Sequence, residues 1–512
     1  MNQIAYHYRE NKIYFTLENG GLIVNKKQSF KVLFVSAEVA PFAKSGGLAD
    51  VAGSLPKTLV AKGHDVRIAM PRYKEIKQDM TYVTDFSVKM QDTIQTCIVR
   101  KAQIQDQAMQ QENGVTVYMI DNHHYFDRDG MYCHFDDAER YAFFCKAVLA
   151  MLPKVNFKPD VIHCNDWQAG PITFLLKDKY KDEDFYQQIA TVFTIHNLQY
   201  QGTYGRETIK ALDIDESYFT PEQFEFYGQF NFIKTGILYG DIINTVSETY
   251  AKEIQTPEYG ERLQDVLRIR SSDLYGIVNG IDARDFNPAY DTFIYKNYDA
   301  RSMENKKLNK SALQKSVHLP VKDVPVLGLI HRLVSQKGLD LIKQIEEQIL
   351  RHDLQFIVLG VGDPYYEEMF KKMQQKYPTK VATFIEFNEA LAHNIYAGAD
   401  MFLMPSVFEP CGLGQLISLK YGTIPIVRHT GGLIDTIQDF NISTHTGNGF
   451  AFSEYASEGL LDAIERAIDV YTKHPQVWTS LVAASLSADY SWEKQANKYV
   501  QIYGKAVENV LN

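Results

Sequence analysis

The feature that most constrains the fold is a repeated alternation between short apolar segments and amphipathic ones. The apolar segments of the first half are KVLFVSA (31–37), DVRIAMP (65–71), TVYMID (116–121), PDVIHCND (159–166) and IATVFTIHN (189–197). After residue 320 they are VPVLGLIHRL (324–333), LQFIVLGVG (354–362), VATFIEF (381–387), DMFLMPS (400–406) and TIPIVR (423–428). Continuous apolar runs of this kind predict strands buried on both faces of a parallel sheet. The amphipathic stretches 48–62, 137–152 and 338–352 have helical spacing.

This βαβα pattern occurs twice, and a chain of 512 residues is too long for one ordinary core. We therefore predict an α/β protein with two Rossmann-like, doubly wound domains. Ligands of such domains bind outside the carboxyl ends of the strands, so two facing domains predict a cleft between them. The turn-rich segment 275–290 is the candidate boundary.

Residues 1–30 precede the first of these strands. Alternating strand residues flank Asn19-Gly20-Gly21, which is typical of a β-hairpin. The favoured interpretation is an extension that packs on the first domain; a regulatory or partner-binding arm remains the alternative.

Composition excludes several classes of protein. Lys and Arg number 53 against 63 Asp and Glu, a formal charge of −10 that argues against binding of nucleic acid or an anionic membrane. No apolar run of about 18 residues is present, so no membrane span is predicted. Five scattered cysteines without a CxxC pair favour free thiols and a cytoplasmic location. Fourteen histidines without HExxH or Cys/His ligand spacing predict no metal.

Two polar segments follow predicted strands and suit an anionic ligand. Lys44-Ser45-Gly46-Gly47 opens the first helix, where backbone amides and a lysine can bind phosphate, although a plain turn explains the pattern equally well. Arg332 lies at the end of the strand 324–333 and Lys337 follows it; this pair could neutralise a diphosphate leaving group, and two surface cations are the alternative.

Three further segments are candidates for contacts with a substrate. Glu409 precedes a short helix, so it is either a helix cap or a carboxylate that faces a sugar. The turn Thr430-Gly431-Gly432-Leu433 could hold a phosphate on its amides, or be only a tight turn. Asp166, His196 and Asn197 end two strands on the same predicted edge, where a lone histidine is more often structural.

Four segments together resemble the bacterial glycogen synthase and plant starch synthase family, in its order and spacing. They are KVLFVSAEVAPFAKSGGLADVAGSLP, FTIHNLQYQG, HRLVSQKGLDL and PSVFEPCGLGQLISLKYGTIPIVRHTGGLIDT. The resemblance covers about 31–510. It implies the GT-B fold, with domains at 31–278 and 279–490 and a last helix, 491–512, that crosses back to the first domain. The implied reaction is retaining transfer of glucose from ADP-glucose to the non-reducing-end 4-hydroxyl of an α-1,4-glucan, with no cofactor or metal.

The resemblance also implies roles for individual residues. Glu409, His196, Arg332 and Lys337 are expected to be catalytic. Residues expected to bind the donor are Lys44, Gly47, Arg332, Lys337, Asn279, Thr430, Gly431, Gly432 and Leu433. Asp166, Asn197 and Gln415 are expected to line the substrate cleft.

Several positions depart from the family pattern. The place of a second glutamate in many relatives of this fold is Ile417, and His331 and His429 replace other residues. Tyr132-Cys133-His134 replaces a small polar stretch and bears on acceptor preference.

Glycogen or maltodextrin is the expected acceptor, and the base pocket is expected in loops near Tyr396 and before Glu409. The alternatives are a non-catalytic glucan-binding relative, which would be expected to lose Lys44, Lys337 or Glu409, and a phosphorylase with a pyridoxal-phosphate lysine. The sequence retains all three residues and shows no phosphorylase motif.

Overall fold

The computed structural model describes residues 29–105 and 114–512, and the backbone of 14–18 and 21–25. The chain divides into two compact units. Unit 1 comprises Met1–Thr245, Ala251–Ile277 and Glu493–Asn512, and unit 2 comprises Val246–Tyr250 and Val278–Trp492. Each unit has its own largely parallel sheet with helices, so the predicted α/β class is confirmed.

The strands of the first 277 residues form three sheets. They are β1 (Tyr14–Glu18), β2 (Gly21–Asn25), β3 (Lys31–Val35), β4 (Asp65–Pro71), β5 (Thr81–Met90), β6 (Thr93–Ile104), β7 (Val115–Asp121), β8 (Val161–Asn165), β9 (Ala190–Ile195), β10 (Thr203–Tyr204), β11 (Glu225–Phe226), β12 (Gln229–Asn231), β13 (Ile242–Thr245) and β14 (Leu274–Gly276). The main sheet has the order β14-β13-β9-β8-β3-β4-β7-β6-β5, and β10, β12 and β11 form a small antiparallel sheet.

The main sheet of unit 1 is parallel except at one edge. The seven strands from β14 to β7 in this order pair in parallel. At the other edge, β6 pairs antiparallel with both β7 and β5. The β5–β6 hairpin was not predicted. Its β5 strand alternates exposed and half-buried residues, so it lacks the continuous apolar run of the other strands.

The extension before β3 contains the antiparallel pair β1–β2, in which Glu18 lies opposite Gly21. Residues 1–13, 19–20 and 26–28 lie outside the described residues, and with them part of the predicted hairpin turn at Asn19-Gly20-Gly21. The role of this extension stays a prediction.

The helices of the first 277 residues lie in the connections between strands. They are α1 (Gly47–Ala61), α2 (His123–Phe126), α3 (Asp137–Lys154), α4 (Asp166–Ala169), α5 (Pro171–Asp178), α6 (Thr208–Leu212), α7 (Phe232–Tyr239), α8 (Glu248–Glu253) and α9 (Gln264–Ile269). Single turns of 3-10 helix occur at Glu216–Tyr218 and Ser271–Asp273. Helix α3 is buried on most of its circumference, including the consecutive residues Phe143 and Phe144, so it lies in the interior of unit 1.

Unit 2 has a six-stranded, wholly parallel sheet. Its strands are β15 (Val326–Ile330), β16 (Gln355–Leu359), β17 (Val381–Phe384), β18 (Met401–Met404), β19 (Ile424–Arg428) and β20 (Phe450–Phe452), in the order β17-β16-β15-β18-β19-β20. Its helices are α10 (Glu304–Ser316), α11 (Leu339–Gln344), α12 (Glu346–Arg351), α13 (Pro364–Lys376), α14 (Glu389–Gly398), α15 (Gly414–Lys420), α16 (Gly432–Thr436), α17 (Ser457–Lys473) and α18 (Pro475–Ser487). The single helix predicted over 338–352 is divided into α11 and α12, after a 3-10 turn at Ser335–Lys337.

The last helix, α19 (Trp492–Leu511), is bound to the core of unit 1 by polar contacts. The hydroxyl of Tyr503 lies 2.8 Å from Nδ1 of His163 in β8, and Nε2 of His163 lies 2.7 Å from the Thr194 hydroxyl. Burial lowers the pKa of His163 to about 3, so its ring is neutral and has one donor and one acceptor nitrogen. Both nitrogens are satisfied only while α19 is in place.

We expect Tyr503→Phe to lower the free energy of unfolding by about 1–3 kcal/mol, because it leaves a buried ring nitrogen of His163 without a partner. Thermal unfolding followed by circular dichroism measures the change. Tyr295→Phe is the control, since that tyrosine is 69% exposed. Equal melting temperatures for Tyr503→Phe and the control would show that this contact does not stabilise unit 1.

Candidate functional site

In unit 2, the loops that follow β15 and β18 are joined by hydrogen bonds. The amide of Val407 donates to the carbonyl of Gln336 at 2.9 Å, and the Gln336 side chain donates to the carbonyl of Phe408 at 3.2 Å. Gly338 has a φ of +67°, and a Cβ there would lie 1.9 Å from the Pro405 carbonyl oxygen. Only glycine permits this approach, which brings two segments 72 residues apart to one edge of the sheet.

The centre of this edge is an ion pair between two predicted catalytic residues. Nζ of Lys337 lies 2.7 Å from Oε2 of Glu409, and the two side chains are 12% and 9% exposed. The hydroxyl of Ser406 donates to the same carboxylate oxygen at 3.0 Å. Burial alone would raise the pKa of Glu409, but the charge and hydrogen bond of Lys337 outweigh it and hold this pKa below its ordinary value. The carboxylate is therefore ionised at neutral pH.

The hydrogen bonds of Glu409 distinguish between its two interpretations. As a helix cap, its carboxylate would accept from the first amides of α15. Its side chain instead bonds Lys337 and Ser406, and only its backbone carbonyl accepts an amide, that of Gly432, at 3.0 Å. This arrangement favours the interpretation in which the carboxylate serves a ligand.

His331 and Arg332 begin the loop after β15. Nε2 of His331 lies 3.1 Å from the carbonyl of Leu403. Burial and then the charge of Lys337 lower the pKa of His331 to about 4, so the ring is neutral and donates this bond. Arg332 is exposed, whereas Lys337 is largely buried. The two predicted cations therefore have different environments.

The turn after β19 uses some of the amides that were predicted to bind phosphate. The amide of Gly432 bonds to Glu409, as above, and that of Leu433 donates to the carbonyl of Thr430 at 3.0 Å. A Cβ on Gly432 would lie 2.3 Å from the Cys411 carbonyl oxygen, so the turn packs directly on the segment that follows Glu409. The amides of Gly432 and Leu433 are engaged within unit 2, and their role toward a phosphate stays a prediction.

Three predicted contact residues of unit 2 each leave a buried polar atom without a partner among the described residues. They are Oδ1 of Asn279, Oε1 of Gln415 and Oγ1 of Thr430. Asn279 and Gln415 both contact Cys411. The backbone amide of Asn279 donates to the sulfur of Cys411 at 3.4 Å, and the side-chain amide of Gln415 donates to the backbone carbonyl of Cys411 at 3.0 Å. Because buried polar atoms are normally paired, these atoms are candidates to bind sugar hydroxyls.

In unit 1, the predicted glycine loop is closed by an acid that sequence reasoning missed. Glu38, which is 5% exposed, accepts the amides of Ser45 and Gly46 on Oε2, at 2.5 and 3.2 Å. Its Oε1 accepts the hydroxyls of Ser45 and Tyr132 at 2.6 and 2.7 Å. Two of the amides that were expected to bind an anion are thus occupied by this carboxylate. Its only sequence signal is an acid three residues after a buried strand.

Lys44 and Gly47 lie on either side of the two residues whose amides Glu38 accepts. Nζ of Lys44 lies 2.6 Å from Asp50, and the two side chains are 38% and 28% exposed. Gly47 is exposed at the start of α1. An ion pair this accessible is worth little, so Lys44 can exchange Asp50 for another anion.

Asp166 and His196 meet at the carboxyl ends of β8 and β9. Oδ1 of Asp166 accepts the amide of His196 at 2.7 Å, and burial raises the pKa of Asp166 to about 7. Nε2 of His196 lies 2.9 Å from Oδ1 of Asn165, whose amide nitrogen donates to the carbonyl of Val35. This fixes the orientation of the Asn165 amide, so Nε2 of His196 carries the proton and Nδ1 can accept.

His196 is neutral, since burial lowers its pKa to about 3. At neutral pH the ring therefore offers hydrogen bonds and no positive charge. Asn197, the remaining predicted residue here, accepts the amide of Gln199 at 3.0 Å and so closes a turn.

The described residues contain no metal-binding cluster, no disulfide and no membrane-spanning helix. No group of three or more His, Cys, Asp or Glu residues that could hold a metal ion occurs within 29–105 and 114–512. All five cysteines are free. None of the helices described above is long and apolar enough to cross a membrane.

Two Rossmann-like units with cationic and glycine-rich segments at the carboxyl edges of their sheets define a GT-B glycosyltransferase. Comparison of the sequence with protein families agrees. Residues 31–269 match the family described as starch synthase catalytic domain, and residues 311–479 match glycosyl transferases group 1.

Curated relatives and solved structures identify the branch of this class. A glycogen synthase of Desulforudis audaxviator is 55% identical, with coverage of 94% of this chain and 97% of the relative. A glycogen synthase of Moorella thermoacetica is 54% identical, with coverage of 93% and 97%. The catalytic domain of starch synthase IV from Arabidopsis thaliana, bound to ADP and acarbose, is 34% identical with a TM-score of 0.88, covering 94% of this chain and 100% of that one. The chain belongs to the glycogen synthase and starch synthase family, which confirms the resemblance and the predicted fold.

A more distant structure agrees on the fold alone. Sucrose-phosphate synthase from Thermosynechococcus elongatus is 16% identical and has a TM-score of 0.57, covering 93% of this chain and 98% of that one.

The ion pair generates a prediction about stability. Lys337→Ala leaves Glu409 buried without its counterion, so we expect it to lower the free energy of unfolding by about 3 kcal/mol. In Lys337→Ala/Glu409→Gln the uncompensated charge is gone, and we expect the double variant to be more stable than Lys337→Ala. Chemical denaturation of the four proteins of this cycle measures the coupling. Additive losses in the double variant would contradict the pair.

Proposed function

We propose that this protein transfers glucose from ADP-glucose to the 4-hydroxyl at the non-reducing end of an α-1,4-glucan, with retention of configuration. The glucan would be glycogen or a maltodextrin. The observation that carries the proposal is the buried pair of Lys337 and Glu409 at the carboxyl edge of the unit 2 sheet, in a chain of the glycogen synthase family.

The pair suits the charges of this reaction. When the bond between glucose and diphosphate breaks, positive charge develops on the sugar ring and negative charge on the departing oxygen. Lys337 and Glu409 offer a cation and an anion 2.7 Å apart, fixed by Ser406 and by two joined loops. Charges that are oriented before the reaction stabilise such a transition state without reorganisation. We assign Lys337 and the exposed Arg332 to the diphosphate, and Glu409 to the ring.

Retention favours departure and attack on one face of the sugar. In this mechanism the leaving phosphate accepts the proton of the attacking hydroxyl, so no separate protein base is needed. The neutral state of His196 fits such a step, because it would only donate or accept hydrogen bonds near the sugar. Asp166, Asn279, Gln415 and Thr430 would bind hydroxyls, and Lys44 the donor phosphates. We propose that the transfer needs no metal ion or cofactor.

The base of the donor would be recognised at the edge of the unit 2 sheet. Tyr396 is 5% exposed, with its ring 5.2 Å from that of Phe402, so it is part of the core. Tyr396 lies in α14, and the loop between β17 and α14 contains Phe387, which is 81% exposed. A flat, exposed ring can stack on adenine, which has a larger face than uracil. Phe387 is our candidate for the preference for ADP-glucose.

The test measures transfer of radiolabelled glucose from ADP-glucose and from UDP-glucose to glycogen. We expect a higher kcat/KM for ADP-glucose, by about 10- to 100-fold, the scale of discrimination through stacking and a few hydrogen bonds. A non-catalytic glucan-binding relative would bind glycogen and incorporate no label. A higher value for UDP-glucose would overturn the donor assignment and leave the reaction class intact.

Two variants test, in the same assay, whether Phe387 recognises the base of the donor. Phe387→Ala should raise KM for ADP-glucose more than for UDP-glucose and leave kcat similar, whereas Phe387→Tyr retains a ring and should keep the preference. Tyr295→Ala, at another exposed aromatic residue of unit 2, is the control. An unchanged donor ratio in Phe387→Ala would exclude this ring from base recognition.

A further inference from the structure

The Glu38 carboxylate connects two loops of unit 1 that lie at the same edge of its sheet. The glycine loop, residues 38–47, follows β3, and the loop 127–136 lies between α2 and α3, after β7. Since β3, β4 and β7 run in parallel, both loops lie at the carboxyl edge where ligands bind. Ser45 and Gly46 of one loop and Tyr132 of the other all donate to Glu38.

The backbone that carries Glu38 is itself held firmly. The Ser36 hydroxyl donates to the carbonyl of Glu38 at 2.6 Å. Val39 and Ala43 exchange backbone hydrogen bonds of 3.0 Å in both directions, and the amide of Ala40 donates to the carbonyl of Ala49 in α1 at 3.0 Å. The carboxylate is thus presented from a closed turn to the start of a 15-residue helix, where negative charge is favourable.

The loop 127–136 is equally well fixed. Arg128 forms a bidentate ion pair with Asp136, in which Nη1 and Nη2 donate to the two carboxylate oxygens at 2.6 and 2.8 Å. From α3, the buried Arg140 donates to the carbonyl of Tyr125 at 2.7 Å and Tyr141 to that of Met131 at 3.0 Å. Tyr132 is therefore a rigid attachment point.

The bond between Tyr132 and Glu38 has a defined direction. Burial and the neighbouring groups Tyr73, Tyr141 and Glu38 raise the pKa of Tyr132, so its hydroxyl keeps its proton and donates. Glu38 thus accepts four hydrogen bonds, which saturates both oxygens. A phosphate could take the Ser45 and Gly46 amides only by displacing a buried carboxylate from charge-assisted bonds worth about 1.5–3 kcal/mol each.

We propose that Glu38 is a positioning residue that latches the glycine loop to the loop 127–136, so that Lys44 is presented to the donor from one rigid surface. The carboxylate stays in place as part of the loop during turnover and does not give way to phosphate. The proposal rests on the proposed function for its kinetic consequences, but the latch itself has a readout that is independent of activity.

The activity-independent experiment is amide hydrogen exchange of the full chain. The amides of Ser45 and Gly46 should be protected in the wild type and exchange at least about tenfold faster in Glu38→Gln, as expected for the loss of about 1.4 kcal/mol. Unchanged protection in Glu38→Gln would overturn the latch. A wild type that transfers no glucose would contradict the proposed function and leave this readout intact.

The kinetic experiment uses matched substitutions. Ser45→Ala removes one bond to Glu38 and Ser45→Thr retains it, so we expect the KM for ADP-glucose to rise several-fold only in Ser45→Ala, with kcat affected less. Because a structural defect alone would lower active enzyme without changing KM, the two roles are distinguishable. This pair also serves if Glu38→Gln fails to fold.

A double-variant cycle tests the connection between the loops. Tyr132→Phe should raise the donor KM, whereas Tyr186→Phe, which removes a buried hydroxyl bonded to Leu149 elsewhere in unit 1, should not. If Tyr132 acts through Glu38, Glu38→Gln/Tyr132→Phe should be no worse than Glu38→Gln. Additive effects, or equal KM values for Tyr132→Phe and Tyr186→Phe, would overturn the coupling of the two loops.

Discussion

The site in unit 2 depends on the buried ion pair of Lys337 and Glu409. Neither charge is stable alone in a setting that is about nine-tenths buried, and their 2.7 Å contact makes both tolerable. The pair also joins two loops, since Lys337 lies in the loop after β15 and Glu409 in the loop after β18. The glycine at 338 and the hydrogen bonds of Gln336 bring these loops close enough for the contact to form.

Unit 1 contains a buried carboxylate of its own, that of Glu38. Glu38 satisfies amides at the start of α1 that would otherwise attract an anion, as Glu409 satisfies a lysine. In both units an internal carboxylate orders a loop at the carboxyl edge of the sheet. The entropy of ordering these loops is therefore lost on folding and not on binding of a ligand.

The sequence predicted the parallel strands and the positions of the polar loops, because both leave local signals. Strands such as β15 and β18 are continuous apolar runs, and the loops that contain Lys337 and Glu409 follow them. The contact between them could not be predicted from local pattern, since 72 residues separate them and only the strand order makes them neighbours. The role of Glu38 was missed for the same reason: Tyr132, one of its partners, is 94 residues away.

In the proposed reaction, Glu409 stabilises the positive charge that develops on the sugar during transfer. Glu409→Gln retains the size of the side chain and removes its charge, so steady-state kinetics together with calorimetric titration of ADP separates chemistry from binding. We expect kcat to fall by about 100-fold or more, the scale of one lost electrostatic contact in a transition state, while ADP affinity changes little. A kcat close to that of the wild type, with only a lower melting temperature, would contradict this role and leave Glu409 a purely structural partner of Lys337.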